Sequence, residues 1–346
     1  MSGETFRQGL NVPEHRRIVA RRLRARTGTI AIGITGGCLM DRRTVLHGTL
    51  GACVGVSLAP WARAAVSAAA PSIMHVTEKI AVVSGVKDNV VALSTSEGLL
   101  LVDSGSPDYT DALLGAMGRL PGGGHVQTLI NTHWHPDQTG SNAALGKAGA
   151  VIIAQHNTKD RIEAGHYNPS EDRYDKALPK AAWPTQTFYS TGSMTAGGDH
   201  IEYGYLLEAH TDGDCYVYFR DSNVLAVGHA ASPTHDPQLD WFGGGWIGGR
   251  LDALTLLHKL ANEETKIVPA FGPVVSRRAL EEEHQMLLLL FNRMLDLLLK
   301  GYSAQEIFDA GVMNGLGRTW SDPKKFVYDA YKGLWAHQNE LSPKLV

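Results

Sequence analysis

The chain has 346 residues, a formal net charge of −3 and 43% hydrophobic residues. That length can bury a large core as one big α/β domain or two small ones, and the hydrophobic share excludes a disordered chain. Three cysteines exclude a disulfide-built scaffold, and the near-zero net charge gives no reason to expect a nucleic-acid binder. Fifteen histidines are the first sign of chemistry.

The charge is not evenly spread. Residues 1–64 hold ten arginines, no lysine and three acidic residues, a net charge of +7, so the other 282 residues hold 22 basic and 32 acidic side chains, a net of −10. From Met40, Arg42-Arg43 precedes a weakly apolar stretch, Thr44 to Pro60, and then the small-x-small sequence Ala62-Arg63-Ala64. This order resembles a bacterial twin-arginine export signal, which implies a periplasmic or secreted protein with no stable membrane insertion after export. The apolar run is too short and too rich in glycine for a transmembrane helix. Residues 1–39 read as upstream over-translation before a start at Met40, or as an extended basic leader. Cys38 and Cys53 leave with this segment, so Cys215 has no partner for an intrachain disulfide.

Beyond the leader, residues 73–83 and 89–95 alternate or cluster apolar side chains as strands do. Leu99–Val102 is a short buried strand ending at Asp103-Ser104-Gly105. A helix is expected over 109–119, closed by Pro121 and three glycines. The buried strand Val126–Asn131 runs into His133-Trp134-His135-Pro136-Asp137. A helix over Ser141–Lys147 and a strand over Ala150–Ala154 follow, and residues 165–183 read as a polar loop. Strands are expected at 184–189, 200–208, 214–220 and 223–227. Then come a glycine- and aromatic-rich loop, Trp241–Gly249, a helix over Ile247–Asn262 and a strand over Lys266–Pro269. The remainder predicts helices over 275–300, 303–310 and 322–338. Two strand-rich blocks, each followed by helices, suit sheet packed on sheet with helices outside.

His133 and His135 end a buried strand, where alternate residues point the same way and two imidazoles can converge. Asp137 extends the series by two. A borderline cation such as zinc takes neutral imidazole nitrogens and carboxylates, so the pattern points to a metal site.

The constellation resembles the metallo-β-lactamase superfamily, whose signature is His-x-His-x-Asp-His, and the resemblance spans about residues 73–290. Leu101–Gly105 is similar to the family's earlier strand ending in aspartate, and Glu208–Asp214 to its third-histidine loop. Asn223–Gly228 is similar to the strand before its bridging acid, and Ile267–Pro273 to the segment carrying its last histidine. The resemblance implies an α+β fold, a four-layer αβ/βα sandwich with a C-terminal helical extension. The family-like domain would cover residues 65–300, with the helices of 301–346 packed on it. It also implies a first metal site of His133, His135 and His210.

Three positions depart from the family. Gln138 stands where the signature ends in histidine, His229 replaces the bridging acid, and Phe271 replaces the last histidine. Three outcomes stay open: one metal, with Asp137 as base; a second metal in a rebuilt shell of Asp137, His229 and His235 or Asp236; or a catalytically dead site. The expected cofactor is therefore Zn²⁺, one ion or two, with other divalent metals open, and the ligand candidates are His133, His135, His210, Asp137 and His229.

The expected chemistry is hydrolysis of an ester, lactone, thioester or β-lactam-like carbonyl of a small molecule by a metal-activated water, with Asp137 accepting its proton. A non-catalytic metal- or ligand-binding relative is the alternative. The net charge of −10 outside the leader argues against a nucleic-acid substrate. Trp241–Trp246 could line a pocket or be a plain loop. Asp103 reads as a structural acceptor beneath the histidine loop, and Asp212 and Asp214 as supports of the turn around His210.

Overall fold

The computed structural model describes residues 70–168 and 173–338. The basic leader expected over 1–64 and the last eight residues of the C-terminal extension lie outside the described residues.

A seven-stranded sheet takes, as neighbours in order, β1 (Ser72–His75), β2 (Ile80–Ser84), β3 (Val90–Thr95), β4 (Gly98–Val102), β5 (Val126–Asn131), β6 (Val151–Gln155) and β9 (Gln186–Phe188). The first four strands pair antiparallel, and β4, β5, β6 and β9 run parallel. A second sheet contains β10 (Thr191–Ala196), β11 (Asp199–Tyr205), β12 (Cys215–Phe219), β13 (Val224–Gly228) and β14 (Lys266–Pro269). It is antiparallel except for the β13–β14 pair. Between the sheets in sequence, β7 (His166–Asn168) and β8 (Arg173–Asp175) form a small hairpin.

Strand periodicity explains the layers. In β2, β3 and β4 one set of side chains (Ile80, Val82, Val91, Leu93, Leu100, Val102) meets Val217, Phe219, Val224 and Ala226 of the second sheet in one buried cluster. The alternate set, including Ala81, Val83, Ala92, Leu99 and Leu101, packs on Leu113, Ala116 and Met117 of α1 (Thr110–Met117) and Leu145 of α3 (Asn142–Lys147). The outer face of the second sheet (Tyr216, Tyr218, Leu225, Val227, Ile267) packs on α5 (Ile247–Leu260), α6 (Arg277–Leu299), α7 (Ala304–Asp309) and α8 (Pro323–Gln338). Side chains that alternate across a strand bury both faces of both sheets, so three cores separate four layers, α/β/β/α. The C-terminal helices contribute Ile307, Phe326, Val327, Ala330 and Leu334 to that last core.

Local expectations change at four places, the first being the strand β10 (Thr191–Ala196), which falls between the strands expected at 184–189 and 200–208. The strand expected over 73–83 is a hairpin, because the Thr77 hydroxyl accepts the Ile80 N–H at 2.9 Å and turns the chain. Residues 165–183, expected as loop, carry the β7–β8 hairpin. A helix, α4 (His156–Ala164), was not foreseen: only Thr158 and Ile162 are buried, so its apolar stripe is too sparse to read. The apolar run at Met286–Phe291 lies in α6, and no helix among the described residues is long and apolar enough to cross a membrane.

Candidate metal centre

The site collects at the C-terminal ends of β5 and β13 and at the β11–β12 turn. After Asn131, β5 gives way to the histidine loop, and Pro136 opens the short helix α2 (Pro136–Thr139), fixing the backbone just after His135. The loop rests on Asp103, whose backbone is left-handed at φ 65°. Its carboxylate accepts the Thr132 N–H at 2.7 Å and the Thr132 hydroxyl at 2.8 Å, which is the support expected from sequence. A side chain at Gly228 would place its Cβ 2.6 Å from the Thr132 hydroxyl, so glycine makes room for this contact. Burial pushes the Asp103 carboxyl up to about 8, against the pull of its Thr132 bonds.

The third histidine sits in a turn locked by Asp214, which accepts the N–H groups of His210 and Thr211 and the Thr211 hydroxyl. Asp212 does different work from that expected: it pairs with Arg161 of α4 at 2.7 Å and accepts the Trp134 indole N–H at 3.1 Å. It thus ties the histidine loop to α4.

His133, His135 and His210 present ligand atoms within 4.8 Å of one another, and among the described residues they are the only such group of histidine, cysteine and acidic side chains. The outer ring nitrogens fix the tautomers. His210 Nδ1 lies 2.9 Å from the Gln238 carbonyl, which can only accept, so this nitrogen carries the proton. His135 Nε2 donates to Asp240 at 3.1 Å, and His133 Nδ1 lies 3.2 Å from the Thr132 hydroxyl that itself donates to Asp103. This leaves bare lone pairs at His133 Nε2, His135 Nδ1 and His210 Nε2. The last two face each other at 3.1 Å, and His133 Nε2 is buried with no hydrogen-bond partner. Burial, followed by repulsion from neighbouring imidazoles, holds His133 and His210 well below the usual histidine range, so both are neutral ligands at pH 7. Convergent unpaired acceptors in a buried setting are costly alone and are relieved by a cation, so the donor set fits a divalent metal.

The other sequence candidates gather nearby with different partners. His229 stacks on His210 at 4.8 Å between ring centroids, but its Nε2 is 2.7 Å from Asp88 Oδ2. Gln138 Nε2 donates to the same oxygen. Asp137 lines the cavity half-buried; burial, then the charge of Asp88, raises its carboxyl above the ordinary range. Phe271 is half exposed and packs edge-on against His235 at 4.3 Å. Asp236 accepts the N–H groups of Ser321 and Asp322 just before α8.

Two residues were missed from sequence. Asp240, which orients His135, also accepts the Gly243 N–H; burial pushes its carboxyl upward, but the bond from His135, with the Gly243 N–H and Arg161, holds it below the ordinary value. Asp88 is the buried acid shared by His229 and Gln138. Neither stands in a motif, so nothing local marks them.

A cavity of about 630 Å³ opens over His135 and His210, walled by Trp134, Trp241, Phe242 and, from α8, Lys325, Phe326 and Asp329. The aromatic loop therefore lines a pocket at Trp241 and Phe242. Trp246 instead caps α5 and stacks on His337 at 3.9 Å.

The model of the metallo-β-lactamase superfamily matches residues 85–272. A type 2 metallo-β-lactamase of Bacillus cereus is 24% identical over 192 residues, covering 56% of this chain and 70% of that protein. Among solved structures, a metallo-β-lactamase from Pontibacter korlensis aligns at TM-score 0.51 and 20% identity, over 63% of this chain and 99% of that one. A stereoselective inverting sec-alkylsulfatase from Pseudomonas sp. aligns at TM-score 0.58 and 16% identity, over 76% of this chain and 50% of that one. The chain thus spans half the length of the alkylsulfatase, and these two structural likenesses concern the fold.

Proposed function

Because the chain belongs to the metallo-β-lactamase superfamily, we propose that it is a zinc-dependent hydrolase acting on an ester, lactone, thioester or β-lactam-like carbonyl of a small molecule. The observation that carries the reading is the convergence of three unprotonated imidazole nitrogens, one of them buried and unpartnered. His133, His135 and His210 would hold the zinc ion, which would supply Lewis acidity and a water whose pKa falls from ~15.7 towards ~7. Asp103 through Thr132, Asp240 and the Gln238 carbonyl keep the three rings in the tautomers that offer those nitrogens. Asp137 faces the cavity with a carboxyl that burial raises above the ordinary range, and its position there suits it to take a proton from a bound water. Trp241, Phe242 and Phe326 wall the cavity and hold the apolar part of a substrate away from water.

The test is metal analysis of the purified protein joined to a panel of lactone, thioester, activated ester, β-lactam and secondary alkyl sulfate substrates. Zinc bound in the wild type, and turnover that His133→Ala abolishes together with the zinc, is the expected result. Zinc without turnover would favour the non-catalytic alternative. We also infer export through a twin-arginine pathway, supported by Arg42-Arg43, the apolar stretch and Ala62-Arg63-Ala64. Substitution of both arginines by lysine is expected to leave the protein in the cytoplasm on fractionation; unchanged export would refute this.

A further inference from the structure

We propose that the centre binds one cation and not two, because the Asp88 carboxylate closes the second position with hydrogen bonds. The inference rests on the triad being a metal site and adds the metal count. Asp88 is 4% exposed, and its Oδ2 accepts both His229 Nε2–H, at 2.7 Å, and the Gln138 amide. The three side chains come from three separate segments: the turn before β3, the loop after β13 and α2.

Each segment is fixed from behind. Arg250 of α5 donates to the His229 carbonyl at 2.6 Å and pairs with Glu283 of α6, whose other oxygen accepts the Ser232 N–H at 2.8 Å. Asn89, next to Asp88, donates to the carbonyls of Pro269 and Gly272 at 3.0 and 2.9 Å. The Gln138 backbone carbonyl accepts the Asn131 amide at 3.0 Å and the Ser104 N–H at 2.8 Å. The contrast with the triad is the argument. There, imidazole lone pairs face one another or nothing; at Asp88 both donors meet the carboxylate, and the one acceptor left unpaired is Gln138 Oε1, a neutral amide oxygen that binds zinc weakly. A second cation would have to displace two donors from one buried carboxylate oxygen, and Asp88, Asp137 and His229 do not form a convergent ligand group among the described residues. With no second cation beside the leaving group, the site suits lactones and activated esters over simple amides.

The experiment uses the full chain stripped with chelator, reloaded with excess zinc or cobalt(II), freed of unbound metal and analysed by mass spectrometry. One ion per chain is expected. Two ions would overturn the inference while leaving the triad intact, whereas no ion would overturn the triad reading itself. In the cobalt(II) form, proton NMR in water is expected to show three exchangeable imidazole N–H signals with the large contact shifts of metal-bound rings, from His133, His135 and His210; a contact-shifted Nδ1–H from His229 would overturn the inference. Nitrogen-15 spectra of the zinc form are expected to show His229 as the Nε2–H tautomer with slow exchange, lost on Asp88→Ala while the zinc count stays at one. A bare Nε2 on His229, or a lost zinc equivalent in Asp88→Ala, would also overturn it. If that variant does not fold, the wild-type metal count and spectra decide alone.

Discussion

Asp103→Asn is the sharpest perturbation of the centre, because it changes no shape and inverts a hydrogen-bond chain. In the wild type above about pH 8, where Asp103 is ionised, it accepts the Thr132 hydroxyl at 2.8 Å, and that hydroxyl can then accept His133 Nδ1–H at 3.2 Å. His133 Nε2 is left bare toward the triad. In the variant, the asparagine oxygen still accepts the Thr132 N–H at the 2.7 Å position, but its amide donates to the hydroxyl. The hydroxyl proton must turn toward His133 Nδ1, which moves the imidazole proton to Nε2 and blocks the ligand. Restoring the bare nitrogen then costs a broken buried hydrogen bond or two, about 1–3 kcal/mol, in line with the ~10–100-fold losses typical when a ligand's supporting partner is removed. The backbone should tolerate the change, since asparagine accepts the left-handed conformation at φ 65°. Zinc affinity measured at about pH 9 by competition with a chromophoric chelator is therefore expected to fall about 10–100-fold, with an unchanged circular dichroism spectrum. An affinity within about threefold of wild type would refute the tautomer argument.

The same residue gives a pH test. Asp103 is held at about 8 in the fold by burial, against roughly 3.9 when unfolded, so its contribution to stability is complete below about pH 4 and lost as pH rises through about 8. Metal-free Asp103→Asn should lose less stability than metal-free wild type between about pH 6 and 9 in urea melts; parallel curves would contradict this. Arg250→Met leaves Glu283 as an uncompensated buried charge and the His229 carbonyl without its donor, and is expected to cost about 3–5 kcal/mol by denaturant unfolding, whereas a loss below about 1 kcal/mol would show that the pair is not buried as described. Phe242→Ala removes part of the cavity wall and should raise KM about tenfold with kcat little changed for any ester substrate; a fall in kcat alone would place Phe242 nearer the chemistry than the wall.

The sequence by itself determined the triad and the layered fold. Period-two apolar strands such as Ile80/Val82 against Ala81/Val83 dictate which face enters which core, because successive side chains in a strand point opposite ways. His133 and His135, spaced by two at the end of a buried strand, converge for the same reason. His210 was placed by resemblance of its loop, and the turn locked by Asp214 brings it to the other two. Where the signal was sparse, as in α4 with two buried residues, the element was not legible.

Tertiary structure alone decided how the rings are held and what stands beside them. Asp240 and Asp88 act on His135 and His229 from positions 105 and 141 residues away in the chain. No local pattern encodes such pairs, because they exist only once two sheets and their loops have met. The role of Asp212, bonded to Arg161 and Trp134 rather than to its own turn, was settled in the same way. So was the cavity wall supplied by α8, since helical spacing of Phe326, Tyr328, Tyr331 and Trp335 gives a face but not its partner. Ligand types are written in residue identity and spacing, whereas tautomer, charge compensation and metal count depend on distances that only the packed chain sets.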